Sequence, residues 1–466
     1  MKKYYFIRSI VIIMLMATLS GCKKFVDIGP DENQLTSKQV FSSDSAALKA
    51  VVGVYIDIMK EAGVLNGLLS KYAALYTDEL SCSPDRELDA KFLNTNLTAD
   101  YVPLIVCWKR PYEYIKGCNN VIEGLGSTSG VSSLLKAQLI GEAKFLRALA
   151  YLYLVNLFGD VPLVLGTNYE TNAAVPRTAS AQVKAQIIND LKEAIALLPV
   201  IPEGTSSPNN QRIKPGKWAA AALLARVYLY NEQWQEAEAM ASAVIGAGIY
   251  HLSENLNDVF LKGSEETIFQ LQPVVKTFNT IEGSYFLNNP GSRPVYEATT
   301  GLLNSFEADD QRKVNWLKPV STYYGIYKYK VLKDSLQTEY NIVLRLSEQY
   351  LIRSEASARQ GRIPEALADI NYIRKRAQLP ALSDTLRQAE VLLAIANERR
   401  HEFFAEFGHR FMDLKRWYNT PAHSDPLWLL AEEAWRTKKE WQPFKTLWPV
   451  PESEIKLNKL IQNPDY

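Results

Sequence analysis

Nine aromatic side chains crowd the 45 residues from Tyr285 to Tyr329: Tyr285, Phe286, Tyr296, Phe306, Trp316, Tyr323, Tyr324, Tyr327 and Tyr329. That is about twice the chain's 11% average. Pro290, Gly291, Pro294, Gly301, Pro319 and Gly325 are interleaved with them, so the segment cannot form one long helix. Tyr and Trp each offer a flat apolar face and a hydroxyl or N–H tip. Rings of this kind in loops suit a ligand with apolar faces and polar rims, such as a sugar. Trp316, Tyr323, Tyr324 and Tyr296 are the leading ligand contacts, with Asp78 and Arg86 as polar partners and Asn288, Asn289 and Arg293 in reserve. Trp108 and Tyr112, one helical turn apart, are read as core.

Catalytic constellations are weaker. Asp78-Glu79 and Asp309-Asp310 supply adjacent acids, but a glycosidase needs a set separation that adjacency does not provide. His401-Glu402 begins a zinc-protease pattern, yet Ala405 stands where the second histidine is required. No G-x-S-x-G and no phosphate-cradling glycine loop occurs. Neither a cofactor nor a metal is expected. The acids and arginines from Glu398 to Arg416 lie among Phe403, Phe404, Phe407 and Phe411. They are read as a semi-buried ion-pair network rather than a ligand site.

These residues need a scaffold, and the scaffold is helical. Periodicity near 3.6 marks Phe41 to Met59, Ser132 to Phe158, Ala181 to Leu198, Pro215 to Ile245, Val343 to Arg359, Pro364 to Ala377 and Ser383 to Phe407. Pro215 and Pro364 fit first-turn positions. Strand signals are confined to Ile268–Leu271 and Ile326–Val331. Phe145 to Phe158 is apolar on most sides and is expected in the core, being too short to span a bilayer. Two segments repeat: Ala225, a turn, then Ala237, Ala241 and Val244; and Ser354, a turn at Gly361, then Ala366, Ile370 and Ile373. The spacing is that of a tetratricopeptide helix pair, in which small residues let two helices approach closely. The expected fold is therefore mainly α, with tetratricopeptide-like repeats, long irregular loops and a few short strands.

The amino terminus carries an address. Lys2, Lys3 and Arg8 precede an apolar run from Ile10 to Leu19, followed by Ser20, Gly21 and Cys22. This is a secretory signal pattern, and Leu19-Ser20-Gly21-Cys22 resembles the bacterial lipobox. Cys22 is then the lipidated first residue, and two or more acyl chains there anchor stably. Residues 1–21 are the expected signal peptide, 22–38 a tether and 39–466 a single domain. Within that domain the helical repeats fall mainly in 132–250 and 341–418, and the aromatic loops mainly in 76–110 and 280–330. Losing the signal moves the formal charge from +1 to −2, which leaves no electrostatic footprint for nucleic acid. Cys82, Cys107 and Cys118 remain, too few for a disulfide scaffold.

Asn397-Glu398-Arg399-Arg400, Glu402-Phe403-Phe404, Gly408-His409-Arg410 and Asp413-Leu414-Lys415-Arg416-Trp417 resemble the signature of the SusD/RagB family of outer-membrane nutrient-binding lipoproteins. Other pieces agree in order: Phe41, Asp44, Ala47, Gly53 and Tyr55; Trp108, Tyr112, Ile115 and Asn119; Gly141-Glu142-Ala143 through Phe145-Leu146-Arg147-Ala148; and Gly159-Asp160-Val161-Pro162-Leu163. Asn371, Arg374 and Arg376-Ala377 follow the second repeat, and Trp448-Pro449-Val450-Pro451 and Gln462-Asn463-Pro464 resemble the usual ending. The resemblance implies a cell-surface, non-enzymatic, oligosaccharide-binding lipoprotein. Such a protein sits over a SusC-like TonB-dependent outer-membrane transporter and helps import the captured glycan. Two readings of other classes stand beside it: a helical-repeat scaffold or peptide/glycopeptide binder, and a surface glycosidase.

Overall fold

The computed structural model describes residues 40–201 and 212–466. The signal segment, Cys22 and the tether lie outside the described residues.

Helices dominate. α1 (Asp44–Met59) buries Ala47, Val51, Val54 and Ile58 at helical spacing, and Ser43 Oγ caps it by accepting from the Ala46 N–H at 3.3 Å. α2 (Leu68–Tyr76) is buried along its whole length. α3 (Val102–Ser127), α4 (Ser133–Phe158) and α5 (Ser180–Leu197) pack side by side. From Phe145 to Phe158 every residue of α4 is buried, as its all-round apolar pattern requires. Arg147 on α4 ties the three helices together. It forks onto Asp190 at 2.7 and 2.8 Å and donates to Asn119 Oδ1 at 2.8 Å. Trp108 is core as expected, and Tyr112 is half-buried against it, its hydroxyl donating to the Pro162 carbonyl at 3.0 Å.

α6 (Lys217–Tyr230) and α7 (Trp234–Gly246) form the first repeat, and α8 (Leu346–Arg359) and α9 (Ile363–Arg376) the second. Ala225, Ala237 and Ala366 have no exposed surface. Ser354, which departs from the small apolar pattern, is also fully buried, and its hydroxyl donates to the Ala366 carbonyl at 2.7 Å. The polar atom is thus satisfied inside the helix contact. The repeats are joined by Arg226, which forks onto Glu348 at 2.6 and 2.7 Å and also donates to Tyr153 Oη and the Val343 carbonyl. α10 (Gln388–Phe403), α11 (His409–Tyr418) and α12 (Pro426–Arg436) complete the helical body. α11 starts at Gly408, where φ is +68° and an added Cβ would come within 2.9 Å of Ala73. No helix among the described residues is long and apolar enough to cross a membrane.

Among the described residues, eight short strands supplement the helices. β1 (Leu80–Cys82), β5 (Tyr296–Ala298), β7 (Tyr323–Ile326) and β6 (Leu317–Val320) make one antiparallel sheet in that order. β2 (Val161–Pro162) pairs with β3 (Arg177–Thr178), and β4 (Thr267–Leu271) with β8 (Asn341–Arg345).

Three expectations about elements are corrected. Val343 does not begin a helix: the apolar run Ile342-Val343-Leu344 pairs with β4, and α8 starts at Leu346. The strand expected over Ile326–Val331 lies earlier, at Tyr323–Ile326, because Ser321, with φ +55°, turns the chain into a hairpin with β6. Pro215 precedes its helix, whose cap is Gly216, whereas Pro364 does occupy a first turn.

Candidate functional site

The β6–β7 hairpin projects from a buried anchor. Trp316, immediately before β6, is fully buried. Its Nε1–H donates to the Leu256 carbonyl at 3.0 Å, and its ring meets Phe260 edge-on at 5.5 Å. The Lys328 ammonium lies 4.8 Å from the Trp316 ring and donates to the Glu402 carbonyl at 2.8 Å as well as pairing with Glu406. Burial pushes Lys328 down to about 8, against the opposing pull of Glu406. Glu402 and Glu406 in turn hold Arg345, and Glu402 also pairs with Arg376 and Arg312. A buried charged network thus exists in the C-terminal third, but Glu402 and Glu406 take their cations from outside the Glu398–Arg416 segment, and within it only Asp413 pairs as expected, with Arg399 and Arg416.

Of the expected ligand contacts, the structure keeps three at the surface. Tyr323 and Tyr324 are half-buried on β7, and Arg86 is exposed. The Arg293 guanidinium lies over the Tyr323 ring at 4.1 Å and forks onto Glu297 at 2.7 and 3.0 Å. Beside this pair, the Ser83 N–H donates to the Val295 carbonyl at 3.0 Å, which brings the Ser83–Arg86 turn to the edge of β5. The third wall is the 287–294 loop. Asn288 holds it by accepting from the Val295 N–H at 3.0 Å and donating to the Phe286 carbonyl at 2.9 Å. Between loop and hairpin is a shallow pocket lined by Asn289, Pro290, Lys318, Gly325 and Tyr327 among others. Gly325 lets the loop approach closely there: an added Cβ would lie 3.3 Å from Pro294, a tight contact.

The other three expected contacts are corrected. Trp316 is the anchor just described and offers no face to a ligand. Tyr296 is 4% exposed; its hydroxyl donates to Asp89 Oδ2 at 2.6 Å, and Asp89 also holds the buried Lys71 at 3.3 Å. Asp78 is clamped by Arg410 through two bonds of 2.9 Å and by Arg400 at 2.8 Å. Burial alone raises its carboxyl, but Arg410 and Arg400 overcompensate and hold it well below the usual carboxylate range. In each case a half-polar side chain found an internal partner, which residue type and loop position do not reveal.

Two contributors to the face were not among the expected residues. Lys318 lies 4.9 Å above the Tyr327 ring, and Tyr327 donates its N–H to the Trp316 carbonyl at 2.8 Å. The hairpin register, Lys318 opposite Gly325, is what puts them together; a period-2 pattern around Ser321 was the available signal.

Of the adjacent acids, Asp310 is buried against Arg312 at 2.7 Å, Asp78 is held by Arg410 and Arg400, and Glu79 accepts the Ala405 N–H at 3.3 Å. His401 Nε2 is 3.0 Å from Ser305 Oγ, with its ring stacked on Phe306. Among the described residues no group of three or more His, Cys, Asp or Glu is placed to hold a metal. Cys82, Cys107 and Cys118 are free and buried.

Residues 279–466 match the SusD family, and residues 24–229 match a family described as starch-binding and associating with the outer membrane. The chain belongs to the SusD family. It is 24% identical to SusD-like protein P25 of Formosa agariphila over 98% of each chain. It is 25% identical to the starch-binding protein SusD of Bacteroides thetaiotaomicron, over 73% of this chain and 75% of that one. A SusD superfamily protein from Bacteroides vulgatus superposes with a TM-score of 0.76 at 21% identity, covering 91% of this chain and 99% of the other. The shared SusD fold accounts for the repeats, and several family-like residues are structural in it. Asn463, for example, donates to the Phe158 and Trp448 carbonyls at 3.0 and 2.8 Å.

Proposed function

We propose that this SusD-family chain is a lipid-anchored, non-enzymatic glycan-binding protein of the cell surface. It captures oligosaccharide and passes it to a SusC-like TonB-dependent transporter in the outer membrane. The observation that carries the reading is the anchored β6–β7 hairpin, which holds Tyr323 and Tyr324 half-buried on opposite sides of β7, with exposed cations and amides nearby. Ring faces cover the C–H side of a sugar, and Arg293, Arg86, Lys318 and Asn289 meet its hydroxyls. The buried Trp316 anchor holds the hairpin in place before ligand arrives, which lowers the ordering cost of binding. The family's starch-binding description and the starch-binding relative support a carbohydrate ligand. The lipobox-like Leu19-Ser20-Gly21-Cys22 supports the anchor.

Calorimetry of the purified chain against plant, host and microbial oligosaccharides, with product analysis of the same mixtures, tests this. Saturable binding without cleavage, lost in Tyr323→Ala and Tyr324→Ala, is expected. Silence across the panel moves the assignment to a scaffold or peptide-binding role, and appearance of products overturns the non-enzymatic reading. Co-purification of a TonB-dependent transporter with the chain tests the partnership.

A further inference from the structure

A cavity walled by β3, α5 and α11 shares no residue with the pocket beside the β6–β7 hairpin. It measures about 750 Å³, within the range of sites that enclose small ligands. Three cations line it from three separate elements: Arg177 on β3, Lys184 on α5 and Lys415 on α11. None of the three forms an ion pair among the described residues. Arg177 spends its fork on the Phe158, Asp160 and Ile461 carbonyls and on Asn463. Lys415 gives one N–H to the Asn156 carbonyl, at the end of α4, and keeps two donors unused. Lys184 makes no hydrogen bond among the described residues, though the Glu232 carboxylate acts on its charge. The fourth cation of the lining, Arg416, is neutralised by Glu355 and Asp413. Two acids, Asp160 and Glu232, share the walls, and Asp160 already accepts the Ser180 N–H at 2.8 Å.

We propose that this cavity binds a saccharide unit bearing a carboxylate or sulfate group, with its oxyanion seated between Lys184 and Lys415. Two lysines facing one cavity repel each other unless an anion lies between them. Burial, and then the neighbouring Lys184, push Lys415 down to about 7, and a bound oxyanion would favour its charged form. A bare ion would leave most of the volume unfilled. The lining also presents the Asn231 and Asn419 amides, which are partners for hydroxyls, and the Glu232 carboxylate, which acts on the charge of Lys184 from one side and leaves its other side to the cavity. This site is independent of glycan capture at the aromatic face.

The test is calorimetry on the purified chain with four probes: galacturonate, galactose 6-sulfate, galactose and inorganic sulfate. The charged sugars are expected to bind saturably, and galactose and sulfate at least tenfold more weakly. Lys184→Gln should weaken the charged sugars about tenfold, roughly the loss of one charge-assisted contact. Because Lys184 makes no hydrogen bond or ion pair among the described residues, that variant should melt like the parent. Tyr324→Ala should leave the charged sugars bound, which separates this site from the aromatic face. No binding of either charged sugar overturns the proposal, as does equal binding of galactose. Sulfate binding as tightly as the sugars indicates an adventitious ion only. Retention in Lys184→Gln together with loss in Tyr324→Ala places the charged sugar on the aromatic face and also overturns it.

Discussion

The Arg293 guanidinium lies 4.1 Å from the centroid of the Tyr323 ring while its fork is held by Glu297. One cation therefore fixes the ring and links it to β5. Arg293→Ala should leave the melting temperature within about 1 °C of the parent, since the pair lies at the surface. Its oligosaccharide affinity should fall about three- to tenfold as the ring loses its fixed orientation. Calorimetry beside thermal unfolding separates the two effects. A Lys at 293 should not restore affinity, because it lacks the planar fork.

Trp316 and Tyr324 should fail in different ways. Trp316→Ala removes a fully buried indole and leaves the Leu256 carbonyl without its donor, at a cost of about 3–5 kcal/mol of stability. Tyr324→Ala, on a half-buried strand position, should cost about 1 kcal/mol and act mainly on ligand affinity. Denaturant unfolding of both variants, with binding measured at low temperature, checks this. Equal destabilisation would mean that the hairpin is not anchored as described.

The Arg226–Glu348 pair should be unforgiving of single changes. Both side chains are 1% exposed, so Glu348→Gln leaves a buried guanidinium without its counter-charge. A loss of about 3–5 kcal/mol is expected. The double replacement Arg226→Met with Glu348→Leu should recover much of it, which a double-mutant cycle on unfolding free energies would show.

Glu79 should make the protein less stable as pH rises. Burial, then the neighbouring Asp78, push its carboxyl up to about 8 from an ordinary 4.5. A folded-state value above the unfolded one means the folded chain holds the proton more tightly. That contribution is full below pH 4.5 and is lost as pH rises through about 8. Glu79→Gln keeps an acceptor for the Ala405 N–H, bonded now at 3.3 Å. It should flatten the decline between pH 5 and 8, and be more stable than the parent by about 2 kcal/mol at the upper end. Thermal melts across that window read the slope directly.

Much of the helical body was legible along the chain, for a physical reason: it depends on local spacing. The all-round apolar run Phe145–Phe158, the small residues at Ala225, Ala237 and Ala366, and Pro364 in a first turn each carry their role in type and period alone. The expectation that Arg399, Arg400, Arg410 and Arg416 pair with Glu402, Glu406 and Asp413 holds only for Asp413, which takes Arg399 and Arg416; the other partners come from distant segments. The ligand face is another matter. Tyr296 and Tyr323 are the same residue type in the same aromatic segment, and nothing local separates them. Asp89, reached across 207 positions of sequence, accepts the Tyr296 hydroxyl and draws it inside. Arg293 holds Tyr323 at the surface. Asp78, half-buried, was claimed by Arg400 and Arg410, more than 300 positions away. Whether an amphipathic side chain finds a partner inside is decided by contacts between distant segments, and so is the meeting of Lys184 and Lys415 in one cavity. Only the tertiary structure settles those pairings.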